Sequence, residues 1–118
     1  MPHANIPFLP SNTNAIAATA TSQSRTIPNA IGDVNAVFYN DGPGLAFVEM
    51  GDSTVVATLP ALSTNVGAAG NATPVPVGQS INLSYLTAGV DSLPFTHWAV
   101  ICLTASTANV YCSGGTGV

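Results

Sequence analysis

Val34-Asn35-Ala36-Val37-Phe38-Tyr39-Asn40, then Asp41-Gly42-Pro43-Gly44, then Leu45-Ala46-Phe47-Val48-Glu49-Met50, is two runs of β-formers around a turn. β-Branched and aromatic side chains suit a pleated backbone, and an Asp/Gly/Pro cluster interrupts it. The stretch predicts a hairpin. The same pattern continues in both directions. On the N-terminal side, residues 15–21 alternate small apolar and polar residues. On the C-terminal side, Gly51-Asp52-Ser53 turns into a short run at 54–58. Residues 80–86 then place Ile81, Leu83 and Tyr85 on one face. Residues 97–104 and 109–112 predict a last hairpin, followed by a Gly-rich tail at Gly114, Gly115 and Gly117. Residues 59–71, with Gly67 and Gly70, read as a long loop.

No segment sustains a 3.6-residue apolar period with caps, so little or no helix is expected. About seven or eight short strands at roughly ten-residue spacing predict an all-β chain. The expected architecture is an antiparallel β-sandwich or jelly roll over residues 15–118, preceded by an extended N-terminal arm at 1–14. In that arm Pro2, Pro7 and Pro10 favour extended backbone, and Ile6, Phe8 and Leu9 are apolar in a segment that cannot fold alone. They are candidate anchors on a neighbouring subunit, set against a frayed terminus.

In Thr73-Pro74-Val75-Pro76-Val77 the two prolines are two residues apart. Donors alternate sides along a strand, so both missing N–H groups fall on one side. That side cannot extend a sheet by ladder pairing, which is how an edge strand is blunted. Pro74 and Pro76 are therefore candidate interface residues of a protein that associates by defined surfaces.

Composition narrows the function. The 118 residues are 47% hydrophobic, enough to bury a core, but only 5% charged, against about 25% in an average globular protein. Net charge is −4, Arg25 is the one Lys or Arg, and the acids are Asp33, Asp41, Glu49, Asp52 and Asp91. One arginine cannot neutralise a run of phosphates or an anionic membrane, so no nucleic-acid or membrane partner is expected. A surface of Ser, Thr, Asn, Gly and Ala has little charge repulsion, and its contacts depend weakly on salt. Arg25 has two candidate uses beside a solvated one: a pair with a carboxylate such as Asp33, or a contact across a subunit boundary.

The start, Met1-Pro2-His3-Ala4-Asn5-Ile6-Pro7, lacks the basic and apolar regions of a signal peptide. The longest apolar run, Trp98 to Leu103, falls far short of the ~18 residues of a membrane span. The chain is accordingly expected to be made in the cytoplasm, and the sequons at Asn71 and Asn82 are read as chance matches. Cys102 and Cys112 lie at matching distances from the predicted turn near Ser106-Thr107 and could face each other across two strands. A reduced, buried pair is the preferred reading over a disulfide.

Catalytic signals are sparse. Gly51-Asp52-Ser53 has the residues of a GDS-type hydrolase block, but those enzymes pair it with Asp-x-x-His, and here Asp91 and His97 are six apart. A tight turn explains the triplet equally well. There is no nucleophile elbow, P-loop or dinucleotide fingerprint. His3 and His97 are far apart, the acids lack EF-hand spacing, and two cysteines are too few for a structural zinc site. No enzyme activity, cofactor or metal is expected. Tyr39, Tyr85, Tyr111 and Trp98 lie on predicted strands and are assigned to the core.

The order of these parts, from Asn40-Asp41-Gly42-Pro43-Gly44 through Glu49-Met50-Gly51-Asp52-Ser53 and Pro74-Val75-Pro76-Val77-Gly78 to His97-Trp98-Ala99-Val100-Ile101-Cys102 and the Ser-Thr-Ala-Asn-Val-Tyr hairpin, resembles the head decoration (cement) proteins of tailed bacteriophages. The likeness spans roughly residues 15–117 and rests on strand-and-turn patterns. It implies a β-sandwich or jelly-roll protomer, assembled as a homotrimer on the outer surface of the capsid, that binds and stabilises major capsid subunits in the virion. Two alternatives stand beside it. One is another phage structural part, such as a head-fibre base, tail or adaptor protein. The other is a carbohydrate- or host-binding β-sandwich module, which requires exposed aromatics.

Overall fold

A computed structural model of the chain describes residues 9–28, 34–61, 69–85 and 96–116. Within them are eight strands and no helix: β1 (Leu9–Ala18), β2 (Gln23–Thr26), β3 (Val34–Pro43), β4 (Ala46–Gly51), β5 (Thr73–Val75), β6 (Ser80–Tyr85), β7 (His97–Cys102) and β8 (Ala108–Thr116). They form two four-stranded sheets, ordered β1-β8-β3-β6 and β2-β7-β4-β5, with every pairing antiparallel. The chain is a β-sandwich, as its alternation predicts. The pairing is nested: β1 with β8, β2 with β7, β3 with β6, β4 with β5.

The core lies between the sheets. Ile16, Ala36, Phe38, Val110 and Cys112 face inward from the first sheet, and Val48, Met50, Trp98, Val100 and Cys102 from the second. Trp98 is fully buried, and its ring stands 5.5 Å from that of Phe38 in a tilted, edge-favouring arrangement.

Both predicted hairpins are corners between sheets instead. β3 is flanked by β8 and β6, so β4 has no place beside it; β7 is likewise flanked by β2 and β4, which excludes β8. The two corners meet, with Gly44 N–H donating to the Thr107 carbonyl at 2.8 Å. Cys102 and Cys112 consequently belong to opposite sheets, and both are free and buried.

Four further boundaries differ from the sequence reading. β1 begins at Leu9 and pairs with β8 from Leu9↔Thr116, so residues 9–14 lie in the sandwich rather than in the arm. Gln23–Thr26 is a strand although none of its side chains is buried, which left no apolar alternation to read. The run at 54–58 is not a strand. The Gly-rich tail is largely β8, and Gly114 is buried where a Cβ would run into the Pro28 carbonyl, so the chain crossing over β8 requires glycine there.

Candidate binding surface

The two sheets present different outer faces. On the first, Tyr39 and Tyr111 are direct cross-strand neighbours, each 39% exposed, with ring centroids 6.4 Å apart. Their row runs Ala15, Tyr111, Tyr39, Ser80 across the four strands, beside a second row of Thr13, Ser113, Val37 and Asn82. Thr13 and Ser113 share a hydroxyl–hydroxyl bond of 2.8 Å. Neither row carries a charge. These tyrosines were expected in the core; alternation puts them outward, because Phe38, Asn40, Val110 and Cys112 take the inward positions on either side. Trp98 alone of the four aromatics read from the sequence is shown in the core, and the side chain of Tyr85 lies outside the described residues.

On the second sheet two central outward positions are filled. Phe47 and Ala99 alternate with the core residues Ala46, Val48, Trp98 and Val100, yet both are buried. The connection from β4 to β5 contributes Ala57, also buried, whose N–H donates to Ser22 Oγ at 3.0 Å just before β2. Asn71 fastens that connection to itself, donating to the Val56 carbonyl at 2.9 Å and accepting from Thr58 N–H at 2.8 Å. Gly51-Asp52-Ser53 starts this segment as a turn. Asp52 Oδ1 accepts from Thr54 N–H and Thr54 Oγ1 at 2.8 and 2.6 Å, and these bonds hold its carboxyl below the ordinary value. His97 Nδ1 bonds with the Thr96 hydroxyl at 2.7 Å, and Asp91 lies outside the described residues. Among the described residues no group of three or more metal-ligating side chains comes together.

The candidate interface residues that the structure describes fall at the margins of the sheets. Pro74 sits in β5, which pairs only with β4, through Phe47↔Pro74. A proline cannot donate, so this is the ladder position whose backbone groups turn away from the partner strand. Pro74 and Pro76 are both exposed, and Pro76 follows the strand in a turn closed by Gln79 N–H donating to its carbonyl at 3.1 Å. Arg25 is exposed on β2 and bonds backbone: Nη1 donates to the Ala15 carbonyl of β1 at 3.0 Å. Asp33, its candidate partner, lies outside the described residues, as do Ile6 and Phe8; Leu9 is the first residue of β1. The four candidates within the described residues are thus dispersed over β1, β2, β5 and the turn after β5.

One residue the sequence reading passed over holds the corner together. Asn40 is fully buried on β3, and its Nδ2 donates at 2.8 Å to both the Gly44 and Val75 carbonyls. Its Oδ1 accepts from Gly42 N–H at 2.7 Å, which fixes Gly42 at φ +85°, a conformation suited to glycine. Asn40 therefore joins β3, the corner and β5. Asn immediately before Asp-Gly is the signal that could have marked it.

Comparison with known proteins adds little. No family model and no curated protein matches the chain. A solved structure of Bacillus endospore appendages, described as a novel family of disulfide-linked pili, is similar at 16% identity over 97% of this chain and 93% of that one, with a TM-score of 0.46. That likeness concerns the sandwich fold only, and it is not to a phage decoration protein.

Proposed function

We propose that this chain is a structural subunit that works by binding protein surfaces, as a capsid decoration protein of a phage virion does, with no catalytic role. The observation that carries the reading is the contrast between the faces. The second sheet buries the central outward residues Phe47 and Ala99, whereas the first holds two exposed tyrosines amid adjoining rows without charge. Tyrosine enrichment and depletion of charge mark the buried centres of protein interfaces. The nested antiparallel pairing supports a jelly-roll reading of the sandwich, an architecture used in viral capsid and lectin domains. In this reading the tyrosine face seats on the outer surface of major capsid subunits, and repeated copies add avidity.

The test is cosedimentation of purified protein with empty shells that lack it, at low and high salt. Salt-insensitive binding that is lost in a Tyr39→Ala, Tyr111→Ala double variant is the expected result. Wild-type protein left in the supernatant at both salts overturns the reading. The same tyrosine pair favours a second reading, a carbohydrate-binding module stacking sugar rings on the exposed aromatics. Glycan-array binding abolished by Tyr111→Ala, with no shell binding, selects it.

A further inference from the structure

The sandwich has four sheet edges, β1 and β6 in the first sheet and β2 and β5 in the second. Three are modified against pairing. On β1, the Ala15 carbonyl is taken by Arg25, and the ladder is irregular between Pro10 and Asn12. On β2, only four residues long, the Thr26 carbonyl accepts from Asn14 Nδ2 at 2.7 Å. Asn14 Oδ1 in turn accepts from Trp98 Nε1 at 3.0 Å, so this stitch is anchored in the core. β5 has three residues with Pro74 at its centre. Short length, proline, irregularity and occupied carbonyls are the ordinary protections of an edge.

β6 has none of them. Ser80-Ile81-Asn82-Leu83-Ser84-Tyr85 is six residues in regular register with β3, without proline, glycine or charge. Among the described residues no strand pairs with its far side. Asn40 N–H donates to the Gln79 carbonyl at 3.2 Å. Alternation from that bond turns the backbone of Ile81 and Leu83 toward β3 and the N–H and C=O groups of Ser80, Asn82 and Ser84 outward. Ile81 and Leu83 also pack only partly against the core, leaving apolar flank at this margin.

We infer that the far edge of β6 pairs antiparallel with β6 of a second copy of this chain, with Asn82 on the twofold axis. In this register Ile81 lies opposite the partner's Leu83 on the core side, and the two half-covered side chains complete each other. Asn82 exchanges backbone hydrogen bonds with the partner's Asn82, and Ser80 with the partner's Ser84. The occupant is another β6 because, among the described residues, it is the one edge left unmodified; identical edges meeting about a twofold give a closed contact that stops at two. The two first sheets then form one eight-stranded sheet with two tyrosine pairs on its outer face. This contact does not depend on shell binding.

Analytical ultracentrifugation of the full chain tests it. Wild type is expected at twice the 11.8 kDa chain mass. Asn82→Pro removes an outward N–H and no bond to β3, so it is expected to halve the mass with unchanged far-UV circular dichroism and Trp98 emission. Asn82→Cys treated with a short bis-maleimide is expected to give a dimer on a denaturing gel, whereas Ser24→Cys on β2 gives none. Monomeric wild type at the highest soluble concentration, an Asn82→Pro variant that keeps the double mass, or an Asn82→Cys variant that fails to cross-link overturns the inference.

Discussion

The two sheets are built from the same alternation and end up in opposite situations. In the second, Phe47 and Ala99 point away from the core and are nevertheless buried, while Glu49, His97 and Ile101 beside them are half-buried. In the first, β3 and β8 bury one face and hold Tyr39 and Tyr111 out on the other. The difference teaches where each sheet obtains its stability. One buries aromatic and small residues on both faces at its centre; the other, among the described residues, buries only its inner face.

The sharpest way to break the comparison is to truncate equivalent outward positions. Phe47→Ala is expected to destabilise by about 3 kcal/mol, as a buried aromatic does. Tyr111→Ala, also outward, is expected to lose no more than about 1 kcal/mol from its cross-strand pair. Urea unfolding monitored by the single tryptophan measures both. Equal losses would mean that the two outer faces are alike.

Asn40→Ala comes next, at about 2 kcal/mol by the same assay. It strips three side-chain hydrogen bonds at the corner and leaves the Val75 and Gly44 carbonyls without their donor. A neutral result would show that the corner is held by packing alone.

Cysteine chemistry separates inner from outer more gently. Burial pushes the Cys112 thiol up to about 12 and also raises Cys102, so neither forms the reactive thiolate near neutrality. Labelling by a thiol reagent is expected only after denaturant is added, and a reducing agent should leave Tm unchanged. Rapid labelling in native conditions would indicate that the space between the sheets opens.

The smallest effect concerns two neighbouring acids on the second sheet. Burial raises the Glu49 carboxyl, so its relative contribution to stability is full below the unfolded-state value and is lost as pH rises through the folded one. Glu49→Gln should therefore stabilise slightly at neutral pH and not at all once the carboxyl is protonated in both states. The Thr54 bonds lower Asp52, so its contribution is present above the unfolded value and is lost as pH falls through the folded one. Thr54→Val removes the hydroxyl bond that lowers Asp52, so it should flatten the loss of stability on acidification, the smallest effect of the set. Melting curves across pH distinguish the two signs.

Sequence made the strands legible because their inner faces are apolar at every second residue. It did not show which strand lies beside which. The run from Val34 to Met50 has the same alternation whether its halves pair or face each other across the core, and the outcome was set by β8 and β6 flanking β3. The polar β2 gave no signal because its side chains are all exposed. Gly114 looked like tail chemistry until the Pro28 backbone crossing it supplied the reason for the missing side chain. Of the candidate interface residues, Pro74 falls on an edge strand. Arg25 has a local use, joining β2 to β1 at Ala15, that no spacing rule could have disclosed.

Nested pairing also bears on how the chain comes off the ribosome. β1 pairs with β8, made much later: Thr13 meets Ser113, one hundred residues on. Pairing between such distant segments is slow to form, since the loop must close before its contacts reward it. During synthesis β4 and β5 can find each other early, while β1 has no ladder until β8 exists. A nascent chain stalled before residue 108 would hold β1 and β3 without the strand that lies between them. Folding of the first sheet therefore waits until β8 has been made, and a product truncated before it becomes a target for chaperones and proteases rather than a smaller domain.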